Sequence, residues 1–165
     1  MLIAAGIKDV IVVLGPGYEK VKMAIAGYPV KVATNEVPGS DMAESIRAGL
    51  AAVDSHSTGF LICLSDHPMV TADTVRALIA VHLTDPFKII IPVYGGRNGH
   101  PSLFPAAVLK EIFYKSNLRE IISEEPDRVK WIDVADEGVV MDIDTEEDYE
   151  SAVRKNREVL YGKGP

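Results

Sequence analysis

The sequence predicts a three-layer α/β fold, a mostly parallel sheet with helices on both faces. Three observations carry that expectation. Phe60, Leu61, Ile62, Cys63 and Leu64 form an unbroken apolar run, the habit of a central parallel strand covered on both faces. Further apolar runs alternate along the chain with segments whose apolar residues recur at helical spacing, the order that gives strand, helix, strand. Polar or acidic residues stand where strands stop and helices start, at Asn35, Asp66 and Asp144. Sheets of this kind bind ligands in the crevice beyond the carboxyl ends of their strands, which would turn Asp66 toward a site rather than a core; the plainer alternative is that it caps a loop or pairs with a nearby base.

Taken in order, residues 1–6 read as the last turns of a helix capped by Gly6, followed by a strand over 9–14. A helix cut off in this way suggests a chain that starts inside a larger fold. Gly15-Pro16-Gly17 is a turn, 19–26 a helix ended by Gly27, and 30–34 a short strand. The polar turn from Asn35 to Ser40 leads into a helix that begins at Asp41, with Glu44 completing a capping-box pattern. The free amides at that helix start suit an anion, and Ser40, Ser45 and Arg47 could add donors. The plainer alternative makes Ser40 and Asp41 caps and Arg47 a solvated side chain.

Pro68 ends the strand at 60–64, and Thr71 and Asp73 suit the start of a helix over 71–83. A strand at 88–93 precedes Tyr94-Gly95-Gly96-Arg97-Asn98-Gly99-His100-Pro101, where glycines let backbone approach a ligand and Arg97, Asn98 and His100 supply donors. A simple hairpin is the alternative. Ser102-Leu103-Phe104 reads as a strand, Pro105 as the first position of a helix to Phe113, and 117–123 as a short helix. Strands are expected at 129–134 and 138–143, the second running into Asp142-Ile143-Asp144-Thr145. Thr145 and Asp148 then cap a last helix that reaches Leu160, ahead of a frayed tail at 162–165.

Composition narrows the function. A chain of 165 residues is the size of one domain and buries roughly 70% of its unfolded surface. No apolar stretch is long enough for a membrane span and no leader pattern is present. A net charge of −7 argues against nucleic acid as a partner. The single cysteine, Cys63, allows no internal disulfide and no paired-cysteine zinc site, which suits a cytoplasmic protein. Two acidic strand ends, Asp66 and Asp144, are the donors a magnesium ion on substrate phosphates requires: hard oxygens, few from the protein.

These segments, in this order, resemble the MobA-like nucleotidyltransferases, most closely the molybdenum cofactor cytidylyltransferase branch. The resemblance rests on Ser45-Ile46-Arg47-Ala48-Gly49-Leu50, Ser65-Asp66-His67-Pro68-Met69-Val70-Thr71, Gly99-His100-Pro101-Ser102-Leu103-Phe104 and Asp142-Ile143-Asp144-Thr145-Glu146-Glu147-Asp148, with the Asn35 turn and the stretch from Ile3 to Gly15. It implies one Rossmann-like domain over residues 1–165, of the nucleotide-diphospho-sugar-transferase type. It further implies Mg²⁺-dependent transfer of CMP or GMP from CTP or GTP to a phosphorylated acceptor, the molybdopterin cofactor, with release of pyrophosphate. Asp66 matches the family's metal aspartate, with Ser65 in place of the usual glycine, and Asp144 the second metal position. Asn35, Ser45 and Arg47 fall on the nucleotide side; His67, Arg97, Asn98, Gly99 and His100 fall on the acceptor side.

One departure stands out. The family opens with a strand and a glycine- and arginine-bearing loop that grips the triphosphate, whereas Ile7-Lys8-Asp9-Val10 runs straight into a strand. Two expectations follow: an N-terminally truncated enzyme, or a catalytically inactive binding or assembly module of the same fold. Either way a central strand is missing, leaving a gap that a neighbouring subunit could cover in a homo-oligomer.

Overall fold

Side-chain alternation along one strand sets the layers. The computed structural model describes residues 1–54 and 56–161, so the tail at 162–165 lies outside the described residues. In β4 (Ile89–Tyr94; the strands are numbered in chain order), Ile89 and Ile91 join Phe104 in a core with Ala43, Leu109, Ile112 and Ile121. Ile90, on the opposite face, packs with Leu103 and Leu78. Period-2 alternation therefore supplies two cores, one under α2 (Met42–Leu50), α4 (Ala106–Leu109) and α5 (Leu118–Glu124), the other under α3 (Ala72–Thr84). Each fully buried Leu, Ile or Phe contributes about 1.5–3 kcal/mol, and Phe104, Leu78, Ile89, Ile90 and Leu109 are all sealed from solvent.

The strands form two sheets. β1 (Ile11–Leu14) pairs in parallel with β2 (Lys31–Thr34), on either side of α1 (Glu19–Ile25). The larger sheet runs β3 (Gly59–Ile62), β6 (Ser102–Pro105), β4 and β5 (Arg97–Asn98), with β7 (Val129–Asp133) also on β4. Its β3–β6, β4–β6 and β4–β5 pairings are antiparallel, and only β4–β7 is parallel. The expectation of a mostly parallel sheet is thus corrected to a mixed one. The reason lies in the loop at Gly95 and Gly96, both at positive φ, which folds the chain back as a hairpin and returns it as β6 between β3 and β4.

Three further expectations are revised. The apolar run at 60–64 is not a central strand: β3 is half-buried and, among the described residues, pairs with β6 alone. Residues 138–143 form no strand; Glu137–Val140 is a 3-10 turn, started by the Asp136 carboxylate accepting from the Gly138 N–H at 3.0 Å. The helix expected to Phe113 loosens to a 3-10 turn at Lys110–Phe113. The opening segment keeps one short 3-10 turn, Ile3–Ala5, closed by Gly6 at φ 91° as expected of a helix end. α6 (Glu146–Tyr161) closes the chain behind its expected cap, Thr145 and Asp148 bonding each other's amides at 2.9 and 3.2 Å.

Asp136 ties the far half of the fold together. Its carboxylate accepts from the Thr71 N–H at 2.9 Å, the Thr71 hydroxyl at 2.8 Å and the Thr74 hydroxyl at 2.5 Å, all at the start of α3. Burial works to raise its pKa, but these donors and the Gly138 N–H outweigh it and leave the carboxyl below its ordinary range. Asp136→Ala is expected to cost about 1–2 kcal/mol, the scale of a lost cap, read as a lower urea midpoint with unchanged slope.

Candidate active site

The carboxyl edge of the strands collects the polar residues. β2 ends at Thr34, and the next residue, Asn35, is buried. Its side-chain N–H groups reach Ser40 Oγ at 2.8 Å and Ser45 Oγ at 3.2 Å, while its carbonyl oxygen accepts from the Val37 N–H at 3.3 Å. The turn is thereby locked onto the start of α2, where Asp41 caps the Glu44 N–H at 3.0 Å. Asn35 and Ser45, both expected on the nucleotide side, are in contact here. Arg47 is placed elsewhere: its guanidinium donates to Ile112 O at 2.9 Å and Lys115 O at 3.0 Å and pairs with Glu44. Those bonds fasten α2 to the segment after α4, so its donors are engaged by the protein itself.

β3 delivers Asp66 to the same edge. Its backbone oxygen accepts from the Ile143 N–H at 2.8 Å, which draws Asp142-Ile143-Asp144 against the loop after β3. Residues 78 positions apart in the chain, Asp66 and Asp144, thus stand in adjoining backbone segments. The Asp66 side chain is 42% exposed, yet its Oδ1 is enclosed and has no hydrogen-bond partner. A carboxylate oxygen left unpaired in that way suits a cation, because an unsatisfied buried acceptor is otherwise costly. Asp144 is exposed, and its backbone N–H is held by Asp148 at 3.3 Å. Among the described residues no three His, Cys, Asp or Glu side chains converge on one point. A magnesium-type site needs only one or two carboxylates, with phosphates and water completing the shell.

Two histidines flank Asp66. His67 Nε2 lies 3.9 Å from Asp66 Oδ1, and the His67 and His100 rings are 5.2 Å apart, centre to centre. His100 is held by its own N–H to Val139 O at 2.8 Å, and Gly99 packs so closely on Val139 that a Cβ there would meet its carbonyl oxygen at 2.5 Å. Arg97 and Asn98 sit apart from this group, exposed on the β4–β5 hairpin, whose partner positions are Tyr94 and Val93. Asp136, the brace of α3, was not singled out from sequence, although Asp136-Glu137-Gly138 carries the pattern of an aspartate turn.

Burial pushes the His100 pKa down, the neighbouring His67 pushes it further, and Asp66 opposes them; burial also lowers that of His82 on α3. Both rings fold neutral, while the unfolded chain takes up protons below about pH 6.5. Stability from these groups is complete above that value and is lost as pH falls through it. Melting temperature is expected to fall between pH 7.5 and 5.5, and His100→Gln should flatten the slope.

A family model for the MobA-like NTP transferase domain matches residues 1–129. The chain belongs to this family. No curated protein sequence is matched. Among solved structures, Rv0371c of Mycobacterium tuberculosis H37Rv, determined in complex with manganese, is 26% identical, with a TM-score of 0.71 over 91% of this chain and 80% of its own. A nucleotidyl transferase of Methanothermobacter thermautotrophicus reaches a TM-score of 0.77 at 20% identity, over 94% and 78% of the two chains. Molybdopterin-guanine dinucleotide biosynthesis protein A of Archaeoglobus fulgidus gives 0.64 at 14%, over 88% and 78%. The last two show the MobA-like fold alone. Among the described residues, no helix is long and apolar enough to cross a membrane.

Proposed function

We propose that the protein is a cytoplasmic, Mg²⁺-dependent nucleotidyltransferase that moves CMP or GMP from CTP or GTP to a phosphorylated acceptor, the molybdopterin cofactor, with release of pyrophosphate. The observation that carries this reading is the Ile143 N–H bond to Asp66 O, which sets two aspartates at one edge in a MobA-like chain. In the reaction an acceptor phosphate oxygen bonds to the α-phosphorus as the bond to the β-phosphate oxygen breaks, and pyrophosphate carries off the electron pair. No protein nucleophile is required, so the protein's part is positioning and charge.

Asp66 and Asp144 would hold the divalent ion, which when bound neutralises the crowded phosphates. Asn35, just after β2, and Ser45, on α2, orient the nucleotide. His67 and His100, beside Asp66, face the acceptor, with Gly99 allowing the close backbone turn that places His100; Arg97 and Asn98 lie on the hairpin of the same edge. The test is product mass after incubation with CTP or GTP, Mg²⁺ and molybdopterin: a product heavier by one nucleotide is expected. A second reading, an inactive binding or assembly module of the same fold, is favoured by Arg47, expected on the nucleotide side, spending its donors on Ile112 O, Lys115 O and Glu44. Absence of nucleotide binding with and without Mg²⁺ would decide for it.

A further inference from the structure

Three segments of the edge around Asp66 meet on one turn. The 3-10 turn at Glu137–Val140 buries Gly138 and Val139. Val139 O accepts from the His100 N–H at 2.8 Å, and the Val139 side chain fills the space where a Cβ on Gly99 would stand. On its other flank Gly138 lies against the backbone that follows Asp66: a Cβ there would strike Met69 O, with Met69 C at 2.5 Å and Val70 N at 2.8 Å. The turn closes with the Met141 N–H on Gly138 O at 3.4 Å and leads straight into Asp142-Ile143-Asp144, where the Ile143 N–H reaches Asp66 O at 2.8 Å.

Asp136 fixes this turn. Its Oδ1 accepts from the Gly138 N–H at 3.0 Å, while its Oδ2 takes the Thr71 N–H and the Thr71 and Thr74 hydroxyls. One carboxylate therefore joins the start of α3, just past Asp66, to the turn that carries His100 on one side and Asp144 on the other. Asn35, Ser40 and Ser45, across the site, are held by one another instead.

We propose that Asp136 is a positioning residue for the metal and acceptor side of the site: through the 137–140 turn it sets where Asp66, Asp144 and His100 stand relative to one another. The inference rests on reading that edge as a transferase site. Outer groups that orient metal ligands are worth about ten- to a hundredfold in metal affinity or activity. Transfer between phosphates also depends on placement to a fraction of an ångström. Asp136 should therefore act on metal and acceptor while leaving the nucleotide side alone.

The test is Asp136→Asn in the full chain. Its carbonyl oxygen can stay on Thr71 and Thr74, which turns the NH2 group to the Gly138 N–H, donor against donor, and frees the turn. Amide exchange at His100 and Ile143 is expected to quicken at least about tenfold, and Mn²⁺ binding, followed by electron paramagnetic resonance, to weaken about tenfold. KM for molybdopterin should rise, with KM for CTP at saturating Mn²⁺ unchanged. Thr74→Val removes one donor to the same carboxylate; it should show the pattern more weakly and serves if Asp136→Asn does not fold. Ile121→Val, a buried change on α5, should lower the urea midpoint and move none of these readings. Unchanged exchange or unchanged Mn²⁺ affinity in Asp136→Asn, or equal losses in Ile121→Val, would overturn the proposal. A wild type that binds no Mn²⁺ would overturn both this and the transferase reading. One that binds Mn²⁺ and yields no nucleotide-bearing product would sink that reading alone, because exchange and Mn²⁺ affinity still decide the role of Asp136.

Discussion

Asp66→Ala is expected to lower metal-dependent nucleotidyl transfer by about a hundredfold or more while leaving the urea midpoint almost unchanged. The two halves of that expectation have separate causes. The carboxylate Oδ1 bonds to no protein group, so its removal breaks no hydrogen bond within the fold. The contact that locates this segment, from the Ile143 N–H, goes to the backbone oxygen and survives the substitution. What is lost is one of the two carboxylates proposed for the metal. Transfer rates measured across a Mg²⁺ series, alongside unfolding of both proteins, check both halves; wild-type rates in the variant would remove Asp66 from the reaction.

Gly99→Ala is expected to do the opposite, destabilising the protein by about 2–4 kcal/mol. The added Cβ would meet Val139 O at 2.5 Å and Val139 Cβ at 2.7 Å, contacts to backbone and to a fully buried side chain that cannot swing aside. Relief requires moving the chain at Gly99 or the turn at Val139, and either breaks the His100 N–H bond to Val139 O. Urea unfolding measures the loss. A midpoint within error of wild type would mean that the turn yields freely and does not fix His100.

Helix starts were legible because their signals are local. Asp41, Thr71, Asn117 and Thr145 each cap the amide of a residue three positions on, and the pattern can be read without knowing the fold. The place of Asp66 at a strand end was legible for the same reason. Strand pairing was not, since nothing in Ser102-Leu103-Phe104 says that it enters antiparallel between β3 and β4. The extended reading of 138–143 failed because Asp136, two residues ahead of Gly138, and His100, from a distant loop, take the backbone groups a ladder would need. Arg47 followed the family pattern in sequence, yet its direction depends on carbonyls 65 and 68 positions away. Contacts of that range leave no local trace.

The smaller sheet is thinly anchored. α1 has no buried residue, β1 buries only Leu14, and β2 buries none. The link to the remainder runs mainly through α2, which packs on β1, β2 and the turn after α4. This lobe should therefore open as its own cooperative unit, well below the free energy of global unfolding. Asn35 follows that lobe's last strand and Asp66 the first strand of the larger sheet, so such an opening should change the span between them, and any ligand grasping both would hold the two halves together.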